Sequence, residues 1–166
     1  MKKNRCLLLL ASLFLLIGCQ NQPTQDAQDA TNSNLTEQEL KMERLVKNVI
    51  NAVRTDNLQD FKNNCFTLDL MKRQDSTVTE KIHASQLKEM FAKSKENFSK
   101  KGLEPKDLKY LYCDKPHREY EFIGLNFITF YAYFEDPNGK KIKVRFSDCS
   151  ESPEGYLLGE SLVIKN

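Results

Sequence analysis

Phe127-Ile128-Thr129-Phe130-Tyr131-Ala132-Tyr133-Phe134-Glu135-Asp136-Pro137-Asn138-Gly139-Lys140-Lys141-Ile142-Lys143-Val144-Arg145-Phe146 is the stretch that decides the fold. Two β-prone runs flank an Asp-Pro-Asn-Gly tetrapeptide. Asp first, Pro second and Gly fourth suit a type I turn whose glycine takes positive φ, closing a three-residue hairpin loop with a bulge. In that geometry Asp136 opposes Lys140. Phe134 then opposes Ile142, Ala132 opposes Val144, Phe130 opposes Phe146 and Ile128 opposes Asp148. This face is apolar except for Asp148. The other face pairs Tyr133 with Lys143 and Tyr131 with Arg145. A slip of one residue would turn every basic side chain inward, so turn chemistry and polarity select the same register.

Further strands are expected on either side of the hairpin. Leu108 to Cys113 reads as a strand, followed by a turn at Asp114-Lys115-Pro116-His117. Tyr120 to Phe134 reads as one long strand, apolar on both faces toward its end as in a central strand, with a bulge at Gly124. Lys141 to Cys149 alternates, residues 150–154 form a loop, and Tyr156 to Ile164 is the last strand. Upstream the period changes to that of a helix. Thr36 and Glu39 have capping-box spacing, and Leu35 and Leu40 have that of a hydrophobic staple. Met42, Leu45, Val46, Val49, Ile50 and Val53 form one apolar stripe. Asp56-Asn57 breaks it, and a shorter helix over 58–63 turns Leu58 and Phe61 inward. Between 65 and 84, the alternation of Phe66, Leu68 and Leu70, or of Val78 and Ile82, allows a short strand. Ser85 is the expected N-cap of a helix carrying Leu87, Met90, Phe91, Ser94 and Phe98 inward, which Gly102 stops. The expected fold is α+β: a curved antiparallel sheet of four to five strands on two to three N-terminal helices. Residues 35–166 have the size of one domain.

The first 34 residues are different. Lys2, Lys3 and Arg5 precede an apolar run from Leu7 to Ile17, about half the roughly 20 residues that a membrane-spanning helix needs. The run ends in Leu16-Ile17-Gly18-Cys19. These residues resemble the lipobox of bacterial lipoproteins, which implies a signal peptide over 1–18, cleavage before Cys19, and diacylglycerol on its sulfur. Two or more acyl chains, at about 0.8 kcal/mol per buried CH₂, make such an anchor nearly permanent, whereas a single chain is marginal. Membrane attachment through this N-terminal lipid and a cell-envelope location follow. Gln20 stands where that family carries Asp in chains kept at the inner membrane, which favours the outer membrane if the host is Gram-negative. Residues 20–34 hold Gln, Asn, Asp, Thr, Ser and Ala but no large apolar side chain, so they read as a disordered tether after Cys19, with a reach of roughly 20 Å.

Cleavage changes the charge balance. The full chain has 25 Lys+Arg against 23 Asp+Glu, and removing three bases with the leader leaves 22 against 23, a net charge of −1. That balance gives no field to gather nucleic acid. Of five cysteines, Cys6 leaves with the leader and Cys19 carries lipid. An oxidising compartment allows one disulfide among Cys65, Cys113 and Cys149, in any of three pairings; three small buried thiols are the alternative. No Cys/His spacing suggests a metal site, and no cofactor is expected.

Candidate functional residues fall into two groups. Asp148 is the one charge on the inner hairpin face. If Leu158 pairs with Phe146, Glu160 points inward as well, with Tyr156 a third candidate on that face. Two inward carboxylates can serve acid–base catalysis, or lie near rims where water or backbone N–H groups satisfy them. His83 and His117 are expected in loops. On the outer face, Tyr131, Tyr133, Lys143 and Arg145 form either a solvated surface with lysine stems over tyrosine rings, or a contact surface for a second copy or another envelope protein.

The order of elements, Phe127 to Phe134, the Asp-Pro-Asn-Gly turn and Gly155-Tyr156-Leu157-Leu158-Gly159 together resemble the NTF2-like fold, a curved sheet wrapped on helices into a cone. The cystatin-like fold is its nearest rival. The resemblance implies a pocket in the cone and possible dimerisation, and no particular reaction. The leading expectation is a non-catalytic envelope lipoprotein that binds a ligand or a protein. The alternatives are a small isomerase, lyase or hydrolase using Asp148 and Glu160 in the cone, and a structural homodimer through the sheet face.

Overall fold

A computed structural model describes residues 35–165. The leader, Cys19 and the tether lie outside the described residues. Helix α1 (Glu37–Arg54) begins where the capping box places it: Thr36 Oγ1 accepts from Glu39 N–H, and the Glu39 carboxylate accepts from Thr36 N–H at 2.7 Å. Its apolar stripe is buried from Met42 to Val53. Each such side chain contributes about 1.5–3 kcal/mol of gross burial free energy. Leu35 and Leu40 remain exposed, so the staple adds little.

Helix α2 (Leu58–Asn63) is capped by Asn57. The region expected to hold a short strand is instead helix α3 (Leu68–Gln74), capped by Thr67. The next helix starts earlier than Ser85: α4 (Glu80–Ser99) is capped by Thr79, whose hydroxyl accepts from Ile82 N–H. His83 is therefore a helical residue and not a loop residue. Asx- and Thr-capping override the weak alternation here, because one side-chain oxygen satisfies an orphan N–H of each first turn.

The sheet is curled, antiparallel and six-stranded. Its centre is the hairpin of β3 (Leu125–Glu135) and β4 (Lys141–Ser152). The turn forms as expected: Gly139 N–H donates to Asp136 O at 2.9 Å, Gly139 has φ +77°, and Asp136 Oδ1 accepts from Asn138 and Lys140 N–H. The expected register holds from Phe134↔Ile142 to Phe130↔Phe146 and then shifts. Each central strand carries two short partners on its outer edge. Strands β1 (Lys109–Cys113) and β2 (Arg118–Phe122) share β3, while β5 (Gly155–Leu157) and β6 (Val163–Lys165) share β4.

Two expected long strands are thus each split. Gly124 marks a hairpin turn, not a bulge: Ile123 and Gly124 both have positive φ (52° and 70°), and Phe122 pairs with Leu125. This is the type I′ signature. A β-branched residue is unusual there, so the sequence carries no ordinary turn signal at this position. At the other end the chain leaves the sheet after Leu157. Leu158 bonds instead to the Asn64–Phe66 segment, and β6 returns with Val163 opposite Arg145.

Phe91, Phe98 and Phe130 pack with α1 and with Phe146, which stacks on Phe130 at 5.3 Å. Tyr156 belongs to this core, its hydroxyl reached by Gln38 at 3.4 Å. Cys65, Cys113 and Cys149 are free thiols. Burial pushes the Cys113 thiol up to about 12 and also raises those of Cys65 and Cys149 well above the ordinary thiol range.

Two substitutions test this account. Asn favours the left-handed region that Ile123 is forced to adopt, so Ile123→Asn should stabilise the protein by about 1 kcal/mol, read by urea unfolding; a loss of stability contradicts the turn. Thr36→Ala should cost about 1 kcal/mol. The hydrogen bonds from Thr36 hold the Glu39 carboxyl below 4.5. Its contribution is therefore present above pH 4.5 and is lost as pH falls further, and Glu39→Gln should flatten that dependence.

Candidate functional site

The outer sheet face is an ordered aromatic and cationic surface. Alternation puts Tyr131, Tyr133, Lys141, Lys143 and Arg145 on one side of β3 and β4. Tyr112 stacks on Tyr133 at 4.7 Å, and His117, in the turn where it was expected, stacks on Tyr131 at 4.5 Å. The Lys143 ammonium lies 3.7 Å above the Tyr131 ring, and Lys141 lies over both Tyr112 and Tyr133. Tyr112, His117 and Lys141 are additions that sequence reading missed. They reach this face from other strands or from beyond the quoted pairs, and only the pairing of β1 with β3 brings Tyr112 opposite Tyr133. Arg145 departs from the group. Its guanidinium turns toward Glu160, 3.8 Å away, and lines a cleft beside the sheet.

The inward acids are corrected. Ile128 pairs with Cys149 and not with Asp148, because two β4 residues, Ser147 and Asp148, oppose the single Thr129. This bulge gives Asp148 a φ of 51° and turns its carboxylate to the other side, where Tyr120 Oη donates to it at 3.0 Å. Burial, and then that hydrogen bond, raises the Tyr120 phenol above its ordinary range. Glu160 does not sit on a strand beside Val144. It is exposed in the segment before β6. Among the described residues no carboxylate is buried in the core, where Tyr156 packs. Among the described residues no cluster of three His, Cys, Asp or Glu side chains is placed to hold a metal.

One cleft of about 560 Å³ lies between α4 and the segment 159–163. Helix α4 supplies two stripes: Leu87, Phe91, Ser94 and Phe98 are buried toward the core, and His83, Gln86, Glu89, Met90, Lys93 and Asn97 line the cleft, which Leu87 also borders. The opposite wall is held to the helix by two side chains. Ser94 Oγ accepts from Leu162 N–H at 3.0 Å, and Asn97 donates to Leu162 O at 2.6 Å. Both backbone groups of the fully buried Leu162 are thereby satisfied. Gly159 passes so close to Phe66 and the Asp148 carbonyl that a side chain there has no room. At the inner end His83 Nε2 meets Phe66 O at 2.8 Å. Of the residues that line the cleft, Arg145 and Gln86 each have one polar atom, Nε and Oε1, that protein covers and that has no protein hydrogen-bond partner. No sequence signal announced Gln86, whose position depends on where α4 starts and how it packs.

No protein-family model, no curated protein and no solved structure matches the chain.

Ser94→Ala should cost about 1–3 kcal/mol, the penalty for a buried N–H left unpaired. Hydrogen exchange at Leu162 should rise with it. An unchanged exchange rate removes Ser94 as the clamp of this wall.

Proposed function

We propose that this protein is a lipid-anchored component of a bacterial cell envelope, and that its folded body acts by binding a partner protein through the outer sheet face. Leu16-Ile17-Gly18-Cys19 supports the anchor, with diacylglycerol on Cys19 and residues 20–34 as the tether. Gln20 supports the outer membrane in a Gram-negative host. The order of helices followed by a curled antiparallel sheet supports an NTF2-like body.

One observation carries the binding role: the ladder of Tyr112, Tyr133, Tyr131 and His117, roofed by Lys141 and Lys143. Rigid tyrosines beside cations are the residue types that dominate interface energy. The partner is an acidic segment of another envelope protein, since its carboxylates would complement the two lysines. A second copy fits less well. A two-fold contact sets the same patch against itself, and here that opposes lysine with lysine.

Two measurements test the reading. Cys19→Ser should move the protein from the membrane fraction to the soluble fraction; retention in the membrane contradicts the anchor. In NMR titrations, polyglutamate should shift the Tyr131 and Tyr133 resonances in a salt-dependent way, and polylysine should not. Reversing Lys141 and Lys143 to Glu should abolish the effect. Equal response to both polymers, or none, overturns the face as the binding surface.

A further inference from the structure

Beyond the sheet face, we infer that one end of the body docks on the lipid surface that holds the anchor, with Phe122 as the inserted side chain. This end is formed by the β2–β3 turn and the first turns of α1 and α4. The inference rests on the anchored reading above. Single exposed apolar side chains are ordinary on a protein surface. Here they are grouped. Among the described residues, the large hydrophobic side chains open to solvent are Leu35, Leu40, Ile82, Tyr112 and Phe122. Tyr112 belongs to the stacked ladder, and the other four gather at this end. Gln38, in the first turn of α1, reaches Glu119 of β2 at 3.4 Å, while at the far end of the helix Arg54 donates to Leu108 O just before β1. Helix α1 thus points its first turn, with Leu35 and Leu40, toward the β2–β3 turn. His83, beside Ile82, meets Phe66 O at 2.8 Å, and the Phe66 ring packs on Phe127, which in turn packs on Phe122. Arg73 of α3 donates to Ile123 O at 3.1 Å and braces the turn. Phe122 is 50% exposed, the most open of the five.

The place where the body begins agrees. Residues 20–34 separate Cys19 from Leu35, and a chain of that length spans at most roughly 50 Å. A lipid on Cys19 therefore holds this end of the body within that distance of the bilayer. Docking becomes an intramolecular step, at an effective concentration on the order of millimolar. One aromatic side chain, too weak to hold a free protein on a membrane, then suffices to orient a held one. Lys72 and Arg73, both exposed in the last turn of α3, bring positive charge for lipid phosphates beside the tip. The acids Glu119 and Glu121 alternate onto the face of β2 opposite to Phe122.

The test uses the mature lipidated chain in nanodiscs of phosphatidylethanolamine and phosphatidylglycerol with brominated acyl chains. The sequence has no tryptophan, so a single introduced one reports its own position. Phe122→Trp should lose most of its fluorescence to the bromines and shift its emission to the blue. Tyr112→Trp should keep its fluorescence. Phe122 pairs with Leu125 and Tyr112 with Tyr133, positions of β3 that lie roughly 25 Å apart along the strand. In the unaltered chain, gadolinium-labelled headgroups should broaden the amide signals of Ile123 and Gly124 and leave that of Tyr133 sharp, and Phe122→Asp should remove the broadening. Equal quenching of the two tryptophan variants, an unquenched Phe122→Trp, or broadening that survives Phe122→Asp overturns the docking. Cys19→Ser reads the anchor separately. Retention of that variant on the nanodisc contradicts the anchor and not the docking, whereas a retained lipidated chain with an unquenched Phe122→Trp contradicts the docking and not the anchor.

Discussion

The register of the central hairpin governs everything else in this fold. Asp136 accepts from two backbone N–H groups of its own turn, and Gly139 supplies the positive φ that brings Lys140 back opposite Asp136. From there the two-residue period of the strands assigns each side chain a face. Phe130, Ala132, Phe134, Ile142, Val144 and Phe146 all fall on one side and bury the stripe of α1. Tyrosines and lysines fall on the other. One slip would exchange the two sets, so the turn acts as the fold's reference point.

The same register makes the departures from it informative. Inserting one extra β4 residue opposite Thr129 swaps Cys149 for Asp148 on the core face. A thiol fits there at little cost, whereas a carboxylate would be expensive unless paired. The displaced Asp148 gains Tyr120 as a partner on the opposite side, and its left-handed backbone is one that Asp tolerates. The bulge takes Asp148 off the core face and sets it against Tyr120.

The split edge strands have a similar consequence. Because β5 ends at Leu157 and β6 starts at Val163, the intervening segment leaves the sheet edge and is caught by Ser94 and Asn97 of α4. That detour opens the cleft and exposes Glu160 in it. Arg145, opposite Val163 on β4, is drawn toward the cleft and away from the tyrosine ladder. A residue read from alternation as part of one surface is thus shared out to another.

The sequence by itself determined the α+β class, the first helix with its cap, the central turn and the two faces of the hairpin. These are local or set by periodicity, and each follows from a few neighbouring residues: Thr36 with Glu39, or Asp136 with Gly139. Only the tertiary structure decided the Ile123-Gly124 turn, the start of α4, the bulge at Asp148 and the union of Gln86 with Arg145 in one cleft. Those features depend on contacts between residues far apart in the chain, such as Ser94 with Leu162 and Phe66 with His83. A one-dimensional pattern of polarity contains no term for such contacts, because the energy that fixes them appears only once the core has closed around them.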